Sequence, residues 1–178
     1  TGEEIEKLVA DHGVDSDFIK LEKGMSRINV KLKSKEESEI NGMGPDISKV
    51  DIEKLYKKLD TLKAGDFVVL AGSIPSTLPD DIYETIMKDF QHKEINFVVD
   101  ATKDLLLNVL KYKPFLIKPN HHELGEMFNV ELKNKEEIII YAKKLQEIGA
   151  RNVIISMAGD GAILIEENGE ITISDTPK

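Results

Sequence analysis

The sequence predicts an α/β protein: a mostly parallel sheet flanked by helices, with a small β-hairpin set apart from it. Three observations carry this. From residue 48 onward, short apolar runs alternate with amphipathic stretches, the pattern of βαβ units with right-handed crossovers. Four of those runs end in small, polar or charged residues: Ala71-Gly72-Ser73, Asp100, Lys118-Pro119-Asn120 and residues 156–161. Residues 26–33 instead alternate strictly between polar and apolar, as a half-exposed strand does.

Residues 3–11 read as an amphipathic helix, with Ile5, Leu8 and Val9 on one face, Thr1 as cap and Gly13 as stop. Residues 14–21 connect, extended around Phe18-Ile19. In residues 26–33, Ile28, Val30 and Leu32 fall on one face; Arg27, Asn29, Lys31 and Lys33 fall on the other. Residues 37–41 alternate again after Ser34-Lys35-Glu36, which signals a hairpin. Residues 42–45 are a loop. Residues 51–62 are helical, with Ile52, Leu55, Leu59 and Leu62 in register. The unbroken apolar run 67–71 predicts a strand buried on both faces. A helix follows over 80–90, with Leu78 as a candidate staple. Then come a strand over 96–99, a helix over 104–110 and a strand over 115–117. Pro119 stops that strand. Asn120 is a good N-cap, and Glu123 stands three residues behind it, opening a short helix over 123–127. A long helix over 135–148 closes at Gly149. A strand over 153–156 leads to a hairpin of 162–165 and 170–173 across Asn168-Gly169.

A formal charge of −9, from 24 basic and 33 acidic residues, disfavours a nucleic-acid partner. No window approaches the ~20 apolar residues of a membrane span. Cysteine is absent, which removes disulfides and thiolate metal sites. A cytoplasmic location fits. The chain opens at a helix start and closes just after a strand, so both ends read as cut from a longer chain.

Each candidate site residue has two readings. Asn120 and Glu123 form a helix cap, or place an amide and a carboxylate where ligands of open α/β sheets bind. Residues Ser156, Met157, Ala158, Gly159, Asp160 and Gly161 form a tight turn, or a loop whose amides approach a nucleotide. Gly72-Ser73 is a turn, or presents a hydroxyl to a substrate. Asp100 caps the next helix, or acts electrostatically at the strand end. Arg27, Asn29 and Lys31 are a solvated strand face, or meet an anionic substrate such as a sugar phosphate. His122 and Glu126 share a helix face without an evident third ligand, so zinc is disfavoured. Glu123 beside a hydrated Mg²⁺ is the better metal reading.

These segments resemble the ribokinase-like sugar kinases of the phosphofructokinase B family. The resemblance runs over all 178 residues. It rests on residues 26–31 with 38–45, on residues 70–75, on Ile117-Lys118-Pro119-Asn120 with Glu123, and on residues 156–162. It implies a ribokinase-like fold, incomplete at both ends, with an α/β nucleotide-binding body at 1–22 and 44–178 and a β-lid hairpin at 23–43. It further implies ATP-dependent phosphorylation of a sugar phosphate with Mg²⁺. The strand from Arg27 to Lys31, with Glu39-Ile40-Asn41-Gly42, points within the family to fructose 1-phosphate. Tagatose 6-phosphate or fructose 6-phosphate are the alternatives, and a noncatalytic nucleotide-binding domain is the alternative outside the class. By similarity Lys118, Asn120 and residues 156–161 contact the nucleotide. Arg27, Asn29, Lys31 and Ser73 meet the sugar phosphate, and Glu123 supports Mg²⁺ through water. The lid implies a homodimer. The family's Gly-Ala-Gly-Asp motif, whose aspartate is the base, is absent from these residues and is expected beyond Lys178. The 178 residues alone are therefore expected to be inactive.

Overall fold

The computed structural model describes residues 1–33 and 37–176. The expected hairpin connection at Ser34-Lys35-Glu36 lies outside them, as do Pro177 and Lys178. The chain forms two compact units.

The first unit comprises Thr1–Thr61 and Pro75–Pro79 and contains the whole hairpin. Helix α1 (Gly2–Asp11) starts where the sequence predicts, but Thr1 makes no side-chain cap. Its Oγ1 accepts the Ser26 amide instead, at 3.1 Å. Strands β1 (Asn29–Lys33) and β2 (Glu37–Asn41) pair antiparallel, with Val30 opposite Ile40 and Lys31 opposite Glu39. One face is therefore an apolar stripe of Ile28, Val30, Leu32 and Ile40, all exposed. Helix α2 (Lys49–Asp60) begins earlier than its apolar spacing indicates. Ser48 and Asp51 close a reciprocal capping box there. Neither helix buries a side chain fully.

The second unit comprises Leu62–Ile74 and Asp80–Lys178. Its strands are β3 (Phe67–Ala71), β4 (Asn96–Asp100), β5 (Leu116–Ile117), β6 (Asn152–Ser156), β7 (Ala162–Ile165) and β8 (Ile171–Ser174). They form one sheet in chain order. The pairs β3–β4, β4–β5 and β5–β6 are parallel; β6–β7 and β7–β8 are antiparallel. The crossovers carry α3 (Ile82–Phe90), α4 (Lys103–Val109), and α5 (His121–Met127) with α6 (Lys135–Ile148). Parallel strands laid down in sequential order by right-handed crossovers put these helices on one face. Between helices and sheet lies the core: Val99, Leu106, Val109, Ile117, Leu124, Leu145, Val153, Ile155 and Ile163 are inaccessible.

The expectation that residues 67–71 are buried on both faces is not met. Leu70 is buried, but Phe67 and Val69 are 58% and 63% exposed. Successive side chains alternate between the sheet's two faces, and Phe67 and Val69 point away from the helix layer; β3 is also the edge strand of its sheet among the described residues. Phe67 packs edge-on against Phe115, which in turn lies under the Arg151 guanidinium.

Candidate active site

The parallel pairing brings the ends of β3, β4, β5 and β6 to one edge of the sheet, as their sequences predict. Backbone bonds knit these tips sideways. The Gly72 amide donates to Asp100 O at 3.4 Å, Lys118 N to Val99 O at 3.1 Å, and Ser156 N to Pro119 O at 3.1 Å. Asn120 and Ser156 form a further parallel bridge.

The register that sets Val99 beside Ile117 sets the next residues, Asp100 and Lys118, side by side. Lys118 Nζ lies 3.1 Å from Asp100 Oδ2, each side chain a little under half exposed. Asp100 is thus not the cap of α4. That position belongs to Thr102, which makes no side-chain cap bond. A local capping preference lost to a cross-strand charge 18 residues away.

Pro119 ends β5, and α5 starts with the capping box that the sequence predicts. Asn120 Oδ1 accepts the Glu123 amide at 2.9 Å, and Glu123 Oε2 accepts the Asn120 amide at 2.8 Å. His121 Nδ1 approaches Ser156 O at 3.4 Å, so α5 is tied to the neighbouring tip. With Oε2 accepting the cap bond, the other oxygen of Glu123 carries no part of the capping box and can face a cation. Among the described residues, no three His, Asp or Glu side chains gather to hold a metal, and His122 with Glu126 acquires no third ligand. This donor set fits a Mg²⁺ that keeps its waters and rests on phosphate oxygens, and no all-protein cage.

After β6 the chain makes a 3-10 turn, Ala158–Asp160, and returns as β7. Met157 N donates to Gly161 O at 2.8 Å, Asp160 N to Met157 O, and Gly161 N to Ala158 O. Three of the loop's amides are thereby engaged within it, and the Met157 side chain is buried. Gly161 has φ +87°, and a Cβ there would stand 1.9 Å from Ser174 O. Its glycine is required by the close approach of residues 174–175 as well as by the turn.

Gly72 has φ +89° and turns the chain out of β3 toward Ser73. Tyr83, which the sequence reading missed, secures this tip: its hydroxyl shares its one proton between Ala71 O at 2.8 Å and Gly72 O at 3.0 Å. The one sequence signal is a tyrosine opening the helix that follows a strand tip. Partial burial, and then the charge of Asp100, push its phenol pKa up.

Arg27, Asn29 and Lys31 lie in the first unit. Asn29 and Lys31 share the polar face of β1, as their period of two predicts; Arg27 precedes the strand, which begins at Asn29 and not at residue 26. Arg27 Nε donates to Asn29 Oδ1 at 2.9 Å, and Lys31 meets Glu39 at 2.7 Å. That ammonium holds the Glu39 carboxyl below its ordinary range. A cavity of about 440 Å³ also opens in this unit, lined by Ile5, Phe18, Leu21 and Met25 among others; no candidate site residue lines it.

A sheet whose parallel tips gather a lysine, a helix-capping asparagine, a carboxylate and a glycine turn presents the edge at which open α/β proteins bind their ligands. The chain belongs to the pfkB family of carbohydrate kinases, whose sequence model matches residues 1–178. It is 47% identical to the 1-phosphofructokinase of Bacillus subtilis, over all of this chain and 58% of that protein. It is 35% identical to the D-tagatose-1-phosphate kinase of Bacillus licheniformis, over 93% of this chain and 55% of that protein. The chain thus spans between half and three fifths of the length of these relatives. Its fold matches phosphofructokinase-2 from Escherichia coli solved with fructose-6-phosphate, with a TM-score of 0.85 at 22% identity, over 99% of this chain and 59% of that one. It also matches ribokinase from Arabidopsis thaliana solved with ribose and ATP, with a TM-score of 0.67 at 19% identity, over 98% and 57%. The fold is ribokinase-like. Among the described residues, no helix is long and apolar enough to cross a membrane.

Proposed function

We propose that the full-length protein transfers the γ-phosphoryl group of ATP to the C6 hydroxyl of fructose 1-phosphate, giving fructose 1,6-bisphosphate and ADP. The observation that carries this reading is the row of four knitted strand tips in a chain 47% identical, residue 1 to residue 178, to a 1-phosphofructokinase. In the reaction the acceptor oxygen bonds to the γ-phosphorus, the bond from that phosphorus to the β–γ bridging oxygen breaks, and the acceptor proton passes to a base. The base is assigned to the aspartate of a Gly-Ala-Gly-Asp segment outside these 178 residues.

The residues in hand bind and orient. The Lys118 ammonium faces the charge that develops on the transferred group, where a fixed cation is worth most. Asn120 and residues 156–161 hold the nucleotide. Glu123 steadies the hydrated Mg²⁺ with its uncapped oxygen. Mg²⁺, when bound, neutralises phosphate oxygens. Ser73 at the β3 tip is assigned to the sugar phosphate. On the hairpin, Arg27, Asn29 and Lys31 are assigned to an anionic substrate, which the guanidinium fork of Arg27 suits. The apolar stripe of the hairpin is assigned to contact with a second copy of the chain.

The likeness to a D-tagatose-1-phosphate kinase favours one competing substrate, the C4 epimer. A coupled ADP-release assay on the full-length protein, with the 1- and 6-phosphates of fructose and tagatose, separates them. The highest kcat/KM is expected with fructose 1-phosphate. A higher value with any of the other three overturns the assignment, and absence of turnover with all four favours a noncatalytic nucleotide-binding domain.

A further inference from the structure

We infer that Tyr83 is a positioning residue for the sugar-binding tip at Gly72-Ser73. This rests on the reading of Ser73 as a contact to the sugar phosphate.

The tip needs an external restraint. Gly72 sits at φ +89°, a conformation that side-chain-bearing residues rarely adopt, and the space beside its Cα where a Cβ would stand is open. Such a glycine is a hinge unless hydrogen bonds fix it. Two sets do so from opposite directions. On the β4 side, the Gly72 amide reaches Asp100 O at 3.4 Å, a long bond. On the α3 side, one phenol spans two successive carbonyls, Ala71 O at 2.8 Å and Gly72 O at 3.0 Å. Both carbonyls face this donor where the chain turns at Gly72. Tyr83 is in the first turn of α3, whose later residues Ile86, Met87 and Phe90 are buried. The hydroxyl is therefore carried on an anchored element, and Ser73 is one bond beyond the peptide it clamps.

The test uses the full-length protein with Tyr83→Phe, Ser73→Ala and both together, reading KM for each substrate, kcat and thermal midpoint. Tyr83→Phe keeps the ring and removes only the donor. It is expected to raise KM for the sugar phosphate about fivefold, the scale of one net hydrogen bond. KM for ATP should stay within about twofold and the midpoint within about 3 °C. In the Ser73→Ala background the same change should add less than about twofold, because the two act through one tip. An unchanged sugar KM in Tyr83→Phe, with a raised one in Ser73→Ala, overturns the role of Tyr83 and leaves the Ser73 reading standing. An unchanged sugar KM in Ser73→Ala overturns that reading and the inference together. Equal rises in both KM values, or full additivity with Ser73→Ala, mean a general effect on folding and overturn the positioning role.

Discussion

At the scale of single residues, Asn120 caps α5 and is proposed to hold the nucleotide, and substitution can separate the two roles. Asn120→Ala removes the acceptor for the Glu123 amide and is expected to cost about 1 kcal/mol in urea unfolding. Asn120→Asp keeps a good cap while adding a negative charge at the tip. It should leave stability close to that of the parent and raise KM for ATP about tenfold. An unchanged KM for ATP would return Asn120 to a capping role only. Glu84 makes a different prediction. The Lys111 ammonium hydrogen-bonds its carboxylate at 2.6 Å, with Tyr112 donating at 3.2 Å, and together they hold its pKa below 4.5. A carboxyl depressed in the folded state stabilises fully above its unfolded pKa, and loses that contribution as pH falls through the folded value. Thermal midpoints measured on acidification below pH 4.5 should therefore fall more steeply in the parent than in Glu84→Gln.

Among elements, α6 was legible to the residue and β3 was not, and the difference is instructive. Helix α6 carries its own boundaries. Asn134 Oδ1 caps the Glu137 amide at 2.8 Å, and a Cβ at Gly149 would collide with Leu110 O at 2.1 Å. The apolar run of β3 tells that a strand forms but not its place in the sheet, since an edge strand and a central one can share a composition. The turn between β6 and β7 belongs to the same scale. Gly161→Ala adds a side chain at positive φ and drives it into the Ser174 carbonyl. A loss of at least about 2 kcal/mol in urea unfolding is expected, with β8 the first strand to lose amide protection in hydrogen exchange.

For the whole molecule, the two units differ in what holds them. The second has a continuous core under its sheet, whereas α1 and α2 of the first bury no side chain fully and the hairpin stripe is open. If the stripe meets a second copy, Val30→Asp in the full-length protein should convert a dimer to a monomer in light scattering. A dimer that survives the change refutes this contact. The 178 residues hold no Gly-Ala-Gly-Asp sequence. Assayed alone, they should release no ADP above background; turnover near the full-length rate would show that the base lies among them.

The amino-acid sequence by itself determined the strands and helices of this protein, the Asn120–Glu123 cap, the shared edge of four strand tips and the polar face of β1. All follow from short-range periodicity, breakers and caps. Only the tertiary structure decided that β3 lies at the edge, that Asp100 pairs with Lys118 and caps nothing, and that Tyr83 clamps the Ala71 and Gly72 carbonyls. Each of these depends on which elements become neighbours, and no local pattern encodes the partner of a side chain that must cross from one strand or helix to the next.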